Sequence, residues 1–135
     1  MYYSIGEVAE KVNLSKSTIR YYDKEGLLPF IERRESGIRM FAESDISMLV
    51  VIECLKTTGL SIKDIKKFSD WCLKGDLTLK ERYELFLERK QNVEEQIVEL
   101  QKSLDLIEHK CWYYKTALEV GTESIHKNTS DNNCN

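Results

Sequence analysis

Two stretches of the sequence carry residues whose chemistry goes beyond packing. The first spans residues 15–39, where SKSTIRYYDKE is followed closely by IERRESGIR. Lys16 and Ser17 stand at the start of a helical stretch. Free amides and the helix dipole already favour an anion there, so both suit contacts to phosphate. Arg20 is long enough to reach a base edge or a phosphate from a helix lying in a major groove. Arg33, Arg34 and Arg39 follow in a short segment able to grip a backbone or a minor groove beside that helix. The second stretch is VIECLKTTGLSIKDI, residues 51–65, with Cys54 near the end of an apolar run. A thiol there is either a small hydrophobe in a core or the reacting atom of a sensor.

The elements that must position these residues have legible starts. Ser4-Ile5-Gly6-Glu7 forms a capping box, and Ile5, Val8, Ala9 and Val12 follow on one helical face. Asn13-Leu14-Ser15 breaks that pattern, and Ser15 can cap a second helix over residues 16–25. Gly26 suits its end, and Pro29 prevents continuation. Two helices three residues apart make a helix-turn-helix signature. Ile19 and Tyr22 mark the inner side of the second helix, which leaves Lys16, Ser17, Arg20, Tyr21 and Lys24 to point outward. Residues 31–34 and 38–41 flank Glu35-Ser36-Gly37 and predict a two-stranded hairpin, or wing. Ser44 opens a third helix to about residue 56, closed by Gly59. Ser61-Ile62-Lys63-Asp64 is another capping box, opening a fourth helix that ends near Gly75, and Thr78-Leu79-Lys80-Glu81 is a third that opens the longest helix.

Along that last helix Leu79, Tyr83, Phe86, Lys90, Val93, Ile97, Leu100, Leu104, Ile107, Cys111, Tyr114 and Leu118 alternate spacings of four and three. Only Lys90 is not apolar. An a/d seam over more than five heptads predicts a coiled coil. At 1.5 Å per residue the helix is roughly 60 Å long, too long for the small preceding domain to cover, so a homodimer is expected. The fold class is mainly α. Residues 1–76 form a winged helix-turn-helix DNA-binding domain, 77–119 a coiled-coil dimerisation helix, and 120–135 a polar, disordered tail.

Composition sets loose bounds around this. The chain of 135 residues has a net charge of −3, a weak argument against nucleic acid. Its distribution softens the objection. Residues 1–41 hold seven Lys/Arg against six Asp/Glu, whereas residues 75–135 hold eight against twelve. DNA binding needs a local basic face rather than a basic chain. With no apolar run of eighteen residues and no secretory signal at the N-terminus, no membrane association and a cytoplasmic location are expected. Cys54, Cys72, Cys111 and Cys134 show no C-x-x-C pairing and are expected to be free thiols. An enzyme with a nucleophilic thiol lacks support, because both histidines lie beyond residue 108 and no Gly-rich phosphate loop occurs.

YSIGEVAEKVNLSKSTIRYYDKEGLLPF, then RRESGIRMF, then GLSIKDIKKF, together resemble the mercury-resistance-regulator (MerR) family of bacterial transcription factors over residues 2–74. The T-I-R-Y-Y-x-x-x-G-L-L and R-x-x-x-G-x-R patterns carry the resemblance. It implies a winged-helix dimer joined by an antiparallel coiled coil. It also implies binding of double-stranded promoter DNA at a pseudo-palindrome, which the protein bends and untwists so that RNA polymerase can engage. The family's DNA contacts carry over onto Thr18, Arg20, Tyr21 and Tyr22 in the helix and Arg33, Gly37 and Arg39 in the wing. Phe41 departs from the family's wing tyrosine and removes a hydroxyl that could bond phosphate.

No cofactor and no metal are expected. The family's metal sensors place a cysteine at the start of the long helix and a pair in a loop beyond it. This chain has Leu77-Thr78-Leu79 at the first place and only Cys134 in the tail. His109 and Cys111 point about 200° apart on a helix and cannot chelate one ion. The stretch around Cys54 is similar to that of the aldehyde- and thiol-stress-responsive (AdhR- and NmlR-like) regulators, which implies a sensor cysteine and a small electrophile or aldehyde as inducer. The residues themselves argue the other way. Ile46, Met48, Leu49, Val50, Val51, Ile52 and Leu55 surround Cys54 and predict a hidden thiol, and the negative helix end disfavours a thiolate. Cys72 is expected to be packing and Cys111 a small seam residue. Two alternatives stay open: a regulator whose ligand is non-covalent, and a coiled-coil adaptor that binds protein instead of DNA.

Overall fold

The computed structural model describes residues 1–127, which are helical apart from one small hairpin. Helix α1 (Ile5–Val12) starts as the capping box requires, with the Glu7 amide donating to Ser4 Oγ at 3.2 Å and the Ser4 amide to Glu7 Oε1 at 2.9 Å. It stops where Asn13 turns left-handed at φ 54°. Ser15 caps α2 (Lys16–Lys24), accepting from the Thr18 amide at 3.1 Å. Strands β1 (Glu32–Arg33) and β2 (Arg39–Met40) pair antiparallel with Glu32 opposite Met40 and Arg33 opposite Arg39. Gly37 closes the turn between them at φ 86°, a conformation any Cβ would strain. The hairpin's return strand is fastened to the N-terminal segment: Tyr3 and Phe41 exchange backbone hydrogen bonds of 2.7 and 3.0 Å.

Helix α3 (Glu43–Thr57) begins one residue before the expected Ser44. Its cap position is Ala42, whose amide donates to Asp45 Oδ2 at 2.8 Å. Ser61 caps α4 (Ile62–Lys74) as expected. The box at Thr78 does not form. Thr78 instead donates its hydroxyl to the carbonyls of Trp71 (2.5 Å) and Gly75 (3.0 Å), closing a 3₁₀ turn from Gly75 to Thr78. Helix α5 (Leu79–Val120) runs directly out of that turn, so no open N-terminus is left for a side chain to cap.

Two compact units divide within α5, Met1–Asn92 and Val93–Asn135. In the first, Val8, Ile19, Tyr22, Leu27, Leu28, Phe41, Leu49, Ile52, Leu55, Ile65 and Phe68 form the core. Each aliphatic side chain buried there contributes roughly 2 kcal/mol by leaving water. The opening turns of α5 join this unit. Leu85 packs against the core, Phe86 meets Phe68 edge-on at 5.5 Å, and Arg89 donates to the Thr58 carbonyl at 3.1 Å. The long helix therefore starts at Leu79, two residues after the expected boundary, and its opening turns still pack on the first unit.

In the second unit the tail expected to be disordered has structure as far as residue 127. Glu123–His126 form a 3₁₀ turn, and the buried His126 ring stacks on Tyr113 at 4.1 Å between centroids. His126 Nε2 lies 2.9 Å from Thr116 Oγ1. Cys134 lies outside the described residues. The seam is left largely uncovered: Val93 is half-buried, but Phe86 is 39% and Leu118 82% exposed, and Ile97, Leu100, Leu104 and Ile107 are all exposed.

Candidate nucleic-acid interface

Helix α2 carries its apolar residues inward and its polar ones out. Ile19 is fully buried, while Lys16, Ser17, Arg20 and Tyr21 are exposed and Thr18 is half-buried. At its N-terminus Ser15 Oγ lies 2.8 Å from Thr18 Oγ1 and 3.1 Å from Ser17 Oγ, a cluster of hydroxyls beside free amides. Arg20 and Arg34 enter no ion pair among the described residues, so both guanidinium groups are available to an outside anion.

Tyr22 does not belong to this surface. It is 1% exposed, and its hydroxyl donates to Glu53 Oε2 at 2.5 Å while accepting from Lys56 Nζ at 3.1 Å. Burial, and then the Glu53 hydrogen bond, push the phenol above its ordinary pKa, so it stays a neutral donor. The DNA contact that the resemblance assigns to Tyr22 is corrected to a core role, the one its helical position implies. Glu53 and Lys56 were not legible as its partners, being more than thirty residues away in the chain.

The wing arginines are also placed differently from free phosphate grips. Arg33 and Arg39 both reach Asp23 Oδ2 near the end of α2. Arg33 Nη2 bonds it, and Arg39 Nε does so at 2.7 Å. The Asp23 side chain is 6% exposed, against 46% for Arg33. Arg34 and Gly37 stay exposed at the turn. Asp23 escaped the sequence reading. The signal available was an acidic residue in a helix otherwise suited to phosphate.

Cys54 is exposed, contrary to the burial predicted from its neighbours. A helix has one inner face, and α3 directs Asp45, Leu49, Ile52 and Leu55 to it. Ser47, Val50, Cys54 and Thr57 fall on the opposite stripe, with Val50 58% exposed. Cys72 is half-buried, and burial pushes its thiol above the usual range against an opposing pull from the Arg82 guanidinium. Cys111 is exposed on α5. Among the described residues, no cluster of three or more His, Cys, Asp or Glu side chains could hold a metal, and no helix is long and apolar enough to cross a membrane.

A sequence profile of the MerR HTH family regulatory proteins matches residues 3–70. The chain is 45% identical over 122 residues to an uncharacterized HTH-type transcriptional regulator of Haemophilus influenzae, covering 90% of each chain. It is 33% identical over 90 residues to the HTH-type transcriptional regulator AdhR of Bacillus subtilis, across 67% of this chain and 64% of that one. Among solved structures it resembles HiNmlR, a MerR family regulator lacking the sensor domain and bound to promoter DNA. The TM-score is 0.85 at 44% identity, with 93% of this chain and 99% of that one covered. These relatives are regulators and not enzymes.

Proposed function

Because the chain belongs to the MerR family of DNA-binding transcriptional regulators, we propose that it acts as a homodimer that distorts promoter DNA for RNA polymerase. The observation that supports this most directly is the exposed α2 face, Lys16, Ser17, Arg20 and Tyr21, beside a wing that presents Arg34. The recognition helix would read base edges and the wing would hold the backbone, so that specificity and salt-dependent affinity come from different residues. The uncovered seam of α5 would pair with a second copy to set the distance between two half-sites.

Arg20→Ala tests the DNA surface. Binding to a duplex selected from a random pool by the wild-type protein, read by fluorescence anisotropy, should weaken at least tenfold. Unchanged affinity would put the DNA surface elsewhere.

Cys54 is the sensor residue in this reading. Its thiol would add across an aldehyde carbonyl: a C–S bond forms, the C=O π bond breaks, and the thiol proton ends on oxygen as a hemithioacetal. No oxidant is required. Exposure of Cys54 supports the reading because a small aldehyde can reach it without unfolding α3.

A further inference from the structure

Beyond the Tyr3–Phe41 backbone pair at its base, the wing has little to hold it at a fixed angle. Each strand is two residues long, and an isolated hairpin of that size is marginal in water. Its register makes matters worse, since Arg33 stands directly opposite Arg39 and like charges facing each other across a ladder repel. Asp23 lies between them and binds both guanidinium groups through one oxygen. Its position does nothing for α2 itself: a carboxylate in the last turn of a helix opposes the macrodipole. A carboxylate this well buried needs its countercharges, and here both come from the wing.

We propose that Asp23 is a positioning residue: by clamping Arg33 and Arg39 it sets the angle between recognition helix and wing, and thereby the discrimination between DNA sequences. Base contacts from α2 and phosphate contacts from the wing must be made in one register. A wing that swings freely still meets phosphates, but on any duplex. The inference rests on the DNA-binding reading. It assigns to Arg33 and Arg39 a shared structural task in addition to, and ahead of, contact with the backbone.

The test compares binding of the full chain to the selected duplex and to a shuffled duplex of equal composition. Wild-type protein must first prefer the selected duplex; absence of that preference would overturn the DNA-binding reading itself. Given the preference, Asp23→Asn is expected to lower the ratio of the two affinities at least tenfold while affinity for the shuffled duplex holds or rises. An unchanged ratio, or a parallel loss on both duplexes, overturns the clamp. Arg39→Gln should lower the ratio as well. The double variant should lose no more than the worse single one, because both remove the same clamp. Losses that multiply mean that Arg39 acts independently of Asp23, and the clamp is then wrong. Should Asp23→Asn lose its helical circular dichroism, Asp23→Glu takes its place, keeping the charge and shifting the carboxylate by one methylene. It must lower the ratio without weakening shuffled-duplex binding; an undiminished ratio overturns the proposal.

Discussion

Cys54 and Tyr22 show how much one helical face decides. Cys54 takes the opposite environment from the one its neighbours suggest, whereas Tyr22 takes the inner place its spacing predicts and not the DNA contact its motif implies. Cys54 stands in an apolar run yet is exposed, because Leu49, Ile52 and Leu55 already fill the inner face of α3. With the thiol open to solvent, reduced protein treated with dilute formaldehyde or methylglyoxal should gain one adduct by intact-mass spectrometry. Cys54→Ser should not gain it. An adduct that persists in that variant would move the reacting thiol to Cys72, Cys111 or Cys134. Tyr22 follows a motif whose resemblance implies DNA contact, but its hydroxyl is taken up by Glu53 and Lys56. Spacing within α2 did mark Tyr22 as inward-facing. The partners did not show, because they come from a helix that only the tertiary fold brings near.

Helix starts were read well wherever a serine supplied the cap, as at Ser4, Ser15 and Ser61. They were misread where the chain used something else. At α3 the capping oxygen comes from Asp45, three residues inside the helix, and at α5 a 3₁₀ turn makes a cap unnecessary. Asp45 carries a measurable consequence. Burial lifts its carboxyl above the ordinary aspartate pKa, outweighing the opposing effect of the Ala42 amide. A carboxyl that binds its proton more tightly in the native state adds stability below the unfolded value of about 4, and that gain is lost as pH rises through the raised native value. Asp45→Asn keeps an acceptor for the Ala42 amide but cannot titrate. Its melting temperature should therefore fall less than wild type as pH rises above about 4; equal slopes by circular dichroism would assign the effect to another group. The helix ends are secured across the chain as well. Arg89 donates to the Thr58 carbonyl at the end of α3, and Arg82 to the Gly75 carbonyl after α4 at 2.6 Å, cations placed where the helix dipole favours them. Pairings of this kind leave no local signature to read.

For the molecule as a whole, the heptad pattern was the most legible feature, because its period is a property of the chain alone. What the pattern cannot say is what covers it, and the exposed Leu100, Leu104 and Ile107 pose that question directly. If a second copy is the answer, Leu104→Glu should move the sedimentation coefficient from dimer to monomer. The same variant should abolish preference for the selected duplex while leaving the helical signal of the first unit in place. A dimer that survives the change would mean that the seam is not the interface. Lys90 gives this surface a further property. A stripe that repeats every seven residues is nearly unchanged when slid by seven, so two such stripes could dock in several alignments of almost equal energy. The exposed Lys90 is the single odd mark on the scale. Each slide would set its ammonium group against a different neighbour, the alignments would cease to be interchangeable, and the spacing between two half-sites would become one number instead of a ladder of them.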